Sequence, residues 1–81
     1  MTSKDKRFSQ IIGGKLKSYR FSAIKNFLEH YGFYAEKNGS SHYVFRRNPY
    51  PHITIVVHHG QVKGYYVKRA VEILRENEII K

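Results

Sequence analysis

Apolar residues recur at the spacing of an α-helix in three stretches of the chain. The first predicts a short helix that ends at Gly13-Gly14. The second predicts a helix with Ser22 as its N-cap and Gly32 as a left-handed C-terminal residue, and the third predicts a helix over residues 65–77. The apolar positions are Phe8, Ile11 and Ile12, then Ile24, Phe27, Leu28 and Tyr31, and finally Val67, Ala70, Val71 and Leu74. Each set forms one stripe, so each helix is expected to bury one face.

Three segments between the second and third helices have the pattern of β-strands. Residues 33–37 and 42–47 flank Asn38-Gly39-Ser40-Ser41, and Asn-Gly is the strongest short signal for a hairpin. The two prolines of Asn48-Pro49-Tyr50-Pro51 interrupt the sheet, because proline cannot donate to its hydrogen bonds. The β-branched residues 53–57 predict a third strand. Residues 15–20 are expected to form a basic connector, and residues 59–64 a loop.

The predicted order of elements, α-α-β-β-β-α, indicates one small α+β domain. With 81 residues and 9.6 kDa, the chain has room for a single core. We expect a three-stranded antiparallel sheet with helices on one face, preceded by a short N-terminal helix. Residues 1–20 would form a basic N-terminal arm that contains this helix, and residues 21–81 the main domain. Because side chains alternate along a strand, His42 and His58 are expected on the open face of the sheet.

Positive charge is concentrated in two segments. The sequence has fifteen Lys and Arg against six Asp and Glu, a formal net charge of +9, and a pI of about 10.0. Residues 1–20 carry a net charge of +5, and residues 37–71 carry +6 without any acidic residue. Self-repulsion of this size destabilises a compact chain, which favours a polyanionic partner and above all nucleic acid. An acidic protein partner fits the same charge.

Other features of the composition exclude several classes of protein. The chain has no cysteine, so it has neither a disulfide framework nor a cysteine-based zinc site. No apolar run reaches the roughly 18–20 residues that a membrane span needs. The first residues lead into no apolar secretory segment. We therefore expect a soluble cytoplasmic protein that uses no membrane, metal or cofactor.

The histidines are the candidate groups for proton transfer. Histidine's ordinary pKa lies near neutrality, and a metal-free ribonuclease needs such a group to take the proton of a ribose 2′-hydroxyl. His42 is the best placed, directly after the predicted turn with Arg46 and Arg47 downstream, although an ordinary surface histidine is the alternative. The adjacent His58 and His59 suggest a metal site. Neighbouring strand residues point to opposite faces, however, and residues 37–71 contain no carboxylate, which argues against one.

A further group of candidate nucleic-acid contacts lies at the start of the third helix. Tyr65 and Tyr66 stand beside Lys63, Lys68 and Arg69. Aromatic rings among cations are typical of surfaces that hold RNA by stacking and phosphate contact. In the alternative interpretation, one tyrosine packs in the core and the cations line a solvated helix face. The sequence leaves both interpretations open.

Four segments in order resemble the HicA toxins, the small mRNA interferases of HicA/HicB toxin–antitoxin pairs. They are Leu28-Glu-His-Tyr-Gly32-Phe33, Ser41-His42-Tyr-Val-Phe45-Arg46, Ile53-Thr-Ile-Val-Val-His58 and Val62-Lys63-Gly64-Tyr65-Tyr66-Val67-Lys68. The segment that contains His42 is similar to the family's Gly-Ser-His hairpin motif, and the last segment resembles the lead into its final helix. The resemblance covers residues 21–74. The family's turn glycine falls on Ser40, whereas the glycine here is Gly39, and Val56 stands where many relatives have proline.

This resemblance implies a fold like the double-stranded-RNA-binding domain, α-β-β-β-α, for the HicA-like residues 21–81. It also implies ribosome-independent cleavage of mRNA and neutralisation by a HicB-like antitoxin that occludes the site. The family's catalytic histidine falls on His42, which would act as general base or acid, and we infer that His58 assists it. The expected RNA-binding residues are Arg46, Arg47, Lys63, Tyr66, Lys68 and Arg69. We expect the free protein to be a monomer.

Two other functions fit the same residues. One is a non-catalytic RNA-binding module on the same fold, in which His42 has no chemical role. The other is a protein-interaction domain whose basic surface meets an acidic partner. A steep fall in affinity with salt would favour nucleic acid over a protein partner. Loss of cleavage in His42→Ala with RNA binding retained would separate an enzyme from a binding module.

Overall fold

The computed structural model describes the backbone of residues 3–81 and the side chains of residues 6–81. This part of the chain has an α+β fold of three helices and five short strands. In chain order the elements are α1 (Ser3–Gly13), β1 (Ser18–Arg20), α2 (Phe21–His30), β2 (Tyr34–Asn38), β3 (His42–Arg46), β4 (Ile53–Val56), β5 (Gln61–Lys63) and α3 (Gly64–Glu76).

All three predicted helices are present, and the apolar stripe of α3 is buried. In α2 the predicted positions Ile24, Phe27 and Leu28 are buried, whereas Tyr31 is half-buried and is the C-cap residue after the helix. The end of α2 follows the prediction in detail. Gly32 has a φ of +88°, and the backbone N–H of Phe33 donates to the carbonyl of Leu28 over 3.1 Å. Glycine adopts this left-handed conformation without the steric cost of a Cβ, so it ends the helix and turns the chain into β2.

The three-stranded antiparallel sheet is confirmed, with β3 in the centre between β2 and β4. One side of it packs under the helices, where Phe45, Ile53 and Ile55 have no more than 1% of their surface exposed. Because side chains alternate along each strand, the strand residues adjacent to these three face away from the helices. The strand ends differ from the predicted ones by a single residue, as β2 ends at Asn38 and β4 at Val56.

An additional sheet was not predicted. The expected basic connector contains β1, the expected loop contains β5, and the two strands pair antiparallel. We call this two-stranded sheet the ribbon. Tyr19 and Val62, at the centre of its two strands, are buried in the main core. Strands of three residues are too short to show a period of two in the sequence, so only their pairing and the burial of these two side chains define them.

The ribbon also explains why the predicted N-cap of α2 at Ser22 is wrong. Strand β1 runs directly into α2, so the helix begins at Phe21 and Arg20 is its N-cap. The backbone N–H of Phe21 donates to the carbonyl of Gly60 over 2.9 Å. At the other end of the ribbon, β5 runs directly into α3, and the N–H of Gly64 donates to the carbonyl of Lys17. The ribbon therefore sets where both helices begin.

The segment expected as an N-terminal arm packs on the rest of the chain. Ile11 of α1 has 3% of its surface exposed and belongs to the same core as α2, α3 and the sheet. The rings of Phe8 and Phe27 meet edge to face, with centroids 5.2 Å apart. Within residues 3–81 no helix is long and apolar enough to cross a membrane.

Candidate nucleic-acid interface

The side of the three-stranded sheet that faces away from the helices is accessible to solvent, and we call it the open face. The strand register places two or three side chains from each strand on it. They are Tyr34, Glu36 and Asn38 from β2, His42, Val44 and Arg46 from β3, and Thr54 and Val56 from β4. All are exposed or half-buried. Such a face is available to a flat or extended ligand.

His42 is the first residue of β3 and lies on the open face, as the alternation of side chains predicts. Its backbone lies between Asn38 of β2 and Val56 of β4. The side chain is exposed, and its ring has no hydrogen bond, ion pair or ring contact with the described residues. The preceding turn has three residues and begins at Gly39, whose φ is +80°. Glycine adopts this left-handed conformation without the steric cost of a Cβ, and Ser40 is not among the residues with a positive φ.

Arg46 shares the open face with His42 and forms an ion pair with Glu36 on the neighbouring strand. Both side chains are about half exposed, so water screens the pair and it contributes little to stability. Four residues along a strand separate Arg46 from His42 by about 13 Å. The two side chains are therefore too far apart to contact the same small group, and the guanidinium of Arg46 is already paired with a carboxylate.

His58 and His59 lie beyond the end of β4, in a tight turn that joins it to β5. The backbone N–H of His58 donates to the carbonyl of Gln61 over 2.8 Å, and the reverse bond measures 2.9 Å. The two central residues, His59 and Gly60, have φ values of 52° and 74°, the signature of a type I′ hairpin. The imidazole rings of His58 and His59 are both exposed and meet edge to face at 4.4 Å.

The two tyrosines at the start of α3 differ in how far they are buried. Tyr65 is 60% exposed, whereas Tyr66 is half-buried and packs on the core. Their rings lie 4.5 Å apart. The side-chain hydrogen bond with Tyr65 raises the pKa of Tyr66 above its ordinary value of 10.0, and partial desolvation and the charge of Tyr65 add to the effect. Tyr65, which the predicted set of RNA-binding residues left out, is the ring available for stacking.

The basic residues of the predicted interface do not form one cluster. Lys63 is exposed at the end of the ribbon without a carboxylate partner among the described side chains. Lys68 lies on the side of α3 that borders the C-terminal end of α1, away from the open face. Arg69 is held on the surface of α3 by Glu72 at 3.4 Å and Glu76 at 3.6 Å.

The side chain of Arg47, predicted to bind RNA, is instead engaged in contacts within the protein. Its Nη1 donates to the carbonyl of Tyr31 over 2.9 Å, and its guanidinium lies 4.8 Å from the ring centre of Tyr50. The side chain also covers Gly32, where a Cβ would come within 3.2 Å of its Cδ. These contacts satisfy one of the free carbonyls at the end of α2 and fasten the chain after β3 to that helix.

The arrangement can therefore offer a histidine without a partner among the described side chains, an arginine further along the same strand, and a pair of histidines at the adjacent turn. Within the described part of the chain, no three His, Cys, Asp or Glu side chains converge as ligands of a metal ion would. Sequence reasoning missed Glu36 as the partner of Arg46, because the contact joins two strands across the sheet. No family model, curated protein or solved structure matches this chain.

Proposed function

We propose that this chain is a metal-independent endoribonuclease that cleaves mRNA, the toxin of a toxin–antitoxin pair, as its resemblance to the HicA family implies. The observation that carries the proposal is the position of His42. It is exposed on the open face, directly after a glycine turn, and its ring is not engaged by any described residue. A histidine in this state is available to exchange a proton with a bound substrate.

The proposed fold relationship is the double-stranded-RNA-binding domain. Residues 21–81 contain the order α2-β2-β3-β4-α3, and one side of the three-stranded sheet is covered by helices. The ribbon formed by β1 and β5 and the helix α1 are additions to that order. This element order supports the proposal, and it leaves the open face as the surface for RNA.

In the proposed reaction, His42 takes the proton from a ribose 2′-hydroxyl, and the 2′-oxygen attacks the adjacent phosphorus. A new O2′–P bond forms, the P–O5′ bond breaks, and the departing 5′-oxygen receives a proton from water or from another histidine. The products are a 2′,3′-cyclic phosphate and a 5′-hydroxyl end. Arg46 holds a neighbouring phosphate, and His58, two residues beyond the end of β4, is the candidate donor of the proton to the leaving oxygen.

Long unstructured RNA incubated with purified protein in EDTA tests this function. Wild type is expected to produce 2′,3′-cyclic phosphate ends, and His42→Ala is expected to bind the RNA without cutting it. His52→Ala is the matched control, because His52 is also exposed and lies in the loop before β4. RNA of the same sequence with 2′-O-methyl groups should be bound and left intact, since it lacks the attacking hydroxyl.

Three outcomes would contradict the proposal. Equal cleavage by wild type and His42→Ala would remove His42 from the chemistry. Cleavage of the 2′-O-methyl RNA would exclude attack by the 2′-hydroxyl. Binding of RNA by both proteins with no cleavage by either would instead favour the non-catalytic RNA-binding module.

HicB-like antitoxin is the proposed protein partner, and its binding is expected to block cleavage by wild type.

A further inference from the structure

A groove runs between α1, α2 and the exposed side of the ribbon, on a part of the molecule that the proposed reaction does not use. Its volume is about 500 Å³, within the usual range for a site that holds a small ligand. Buried Ile11 and Tyr19 contribute to its floor. The groove is therefore a shaped concavity with an apolar base, built from three different elements.

The rim of this groove is cationic. Arg7 of α1 and Arg20 at the start of α2 line it from opposite elements, and both are exposed. Among the side chains of residues 6–81, none that lines the groove is a carboxylate, and neither arginine has an ion-pair partner there. Lys63 extends the same charge, because it is exposed and pairs across the ribbon with Ser18, which is part of the lining. Unpaired like charges around one concavity are unfavourable unless an anion occupies it.

Side chains with amide and hydroxyl groups stand between these cations. Gln10 lies one turn after Arg7 on the same face of α1, and Asn26 lies one turn after Ser22 on α2. Gln61 reaches the groove from β5, where Ser18 donates to its Oε1 over 3.5 Å. Amide groups carry both a donor and an acceptor, which is the chemistry that reads the edge of a nucleobase.

From these observations we infer that the groove binds a nucleotide unit of a single RNA strand, with its phosphate at Arg7 and Arg20. The base lies against the apolar floor, and the amides of Gln10 and Asn26 contact its edge. The inference rests on the proposed function for the identity of the strand as RNA. A mononucleotide has the same chemistry as one unit of that strand, so it is the probe for the site.

Backbone hydrogen bonds join the groove to the surface that carries His42. Gln61, in the lining of the groove, is bonded to His58 across the type I′ turn. Val57, the residue before His58, donates its N–H to the carbonyl of Ser41 over 2.8 Å. Ser41 directly precedes His42. Two strand spacings, about 10 Å, therefore separate the backbones of Gln61 and Ser41. In the inferred complex, the strand leaves the groove at Gln61 and passes the turn at His59-Gly60 towards His42.

Nuclear magnetic resonance of the wild-type protein tests occupancy without any need for cleavage. Addition of adenosine or uridine 5′-monophosphate is expected to shift the side-chain amide signals of Gln10 and Asn26. Inorganic phosphate alone should shift the signals of residues near Arg20 and leave the signals of those side-chain amides unchanged. If the mononucleotides shift none of these signals, or if an oligoglutamate peptide shifts them and the mononucleotides do not, the inference is wrong.

Affinity for a ten-nucleotide RNA provides an independent test, measured by fluorescence anisotropy in the His42→Ala background. Arg7→Gln combined with Arg20→Gln is expected to weaken binding about tenfold or more at 0.1 M salt. It should also reduce the slope of log K against log salt by about 1.4, the value for two phosphates on a single strand. Arg75→Gln with Lys81→Gln removes the same charge outside the groove and should leave the slope unchanged.

The outcomes separate this site from the proposed function. Equal weakening by both double variants would show that only total charge matters, which would overturn the groove. Wild type that binds mononucleotide in the groove and cuts no RNA would refute the nuclease and retain the site. If wild type cuts RNA, and if the Arg7→Gln/Arg20→Gln variant binds RNA as tightly as the His42→Ala protein from which it is made, the nuclease is retained and the groove site is refuted.

Discussion

Replacement of Gly64 by alanine tests the contact between the ribbon and the start of α3. An ideal Cβ on Gly64 lies 2.6 Å from the carbonyl oxygen of Leu16 and 3.1 Å from that of Lys17. The first distance falls 0.8 Å short of ordinary van der Waals contact at 3.4 Å. Both obstacles are backbone atoms, so no side chain can rotate away to make room.

The cost of this substitution follows from what must move. The backbone N–H of Gly64 donates to the carbonyl of Lys17 over 2.7 Å, so relief of the clash separates two groups that are hydrogen-bonded. Overpacking of a well-packed site costs about 1–3 kcal/mol, and loss of this bond places Gly64→Ala at about 2–3 kcal/mol. For a domain of this size each kcal/mol lowers Tm by about 4–8 °C.

Urea denaturation and thermal unfolding, both followed by circular dichroism, measure this effect. Gly13→Ala is the matched control, because Gly13 lies in α1 and a Cβ there would have no contact within 4 Å in the described part of the chain. Alanine at that position is expected to stabilise the protein by about 0.4–1 kcal/mol, because it lowers the conformational entropy of the unfolded chain. A Gly64→Ala protein within about 0.5 kcal/mol of wild type would refute the reasoning, since surface substitutions without contacts have effects of that size.

Other contacts predict further outcomes. Phe45→Ala removes a fully buried ring and is expected to lower the free energy of unfolding in urea by about 3–5 kcal/mol; a loss below about 1 kcal/mol would contradict its central position. His59→Asn is expected to raise thermal stability by up to about 1 kcal/mol, because asparagine tolerates a φ of 52° better than histidine; destabilisation would contradict this. Tyr65→Phe is expected to return the pKa of Tyr66 towards 10.0 in an ultraviolet absorbance titration.

The raised pKa of Tyr66 has a consequence for stability at alkaline pH. Its neutral form is favoured in the folded protein, so the linked stabilisation is fully present below the unfolded pKa of 10.0. It is lost as pH rises through the folded value. Tyr65→Phe removes the hydrogen bond that raises this pKa, so its loss of stability relative to wild type should shrink across that alkaline range. An unchanged difference would show that the hydrogen bond is not the cause.

The predictable part of the fold rested on patterns that repeat within one element. The stripe of Ile24, Phe27 and Leu28 is read within a single helix, and the alternation that placed His42 on the open face is read within a single strand. Gly32 was identified for the same reason, because a helix end needs a left-handed residue whatever lies around it. Local conformation and local burial decide these features, so no knowledge of the remaining chain is needed.

The candidate site was predictable to the extent that one strand carries it. The position of His42 and Arg46 on one face follows from the period of two, whereas the pairing of Arg46 with Glu36 depends on the register between β2 and β3. Arg47 is adjacent to Arg46 in the sequence, yet it is bound to the end of α2 and stacked on Tyr50. The sequence treats the two arginines alike, and only the packing of neighbouring elements distinguishes them.

By itself, the sequence determined that this is a small, strongly basic α+β domain with three helices, a three-stranded sheet and an exposed histidine at a glycine turn. Only the tertiary structure decided that residues 18–20 and 61–63 are strands, where α2 and α3 begin, and that Arg7 and Arg20 border one groove. Short strands form because partners more than forty residues away supply their hydrogen bonds and cover Tyr19 and Val62. A local pattern carries no information about such partners, so these features arise only when the chain has folded.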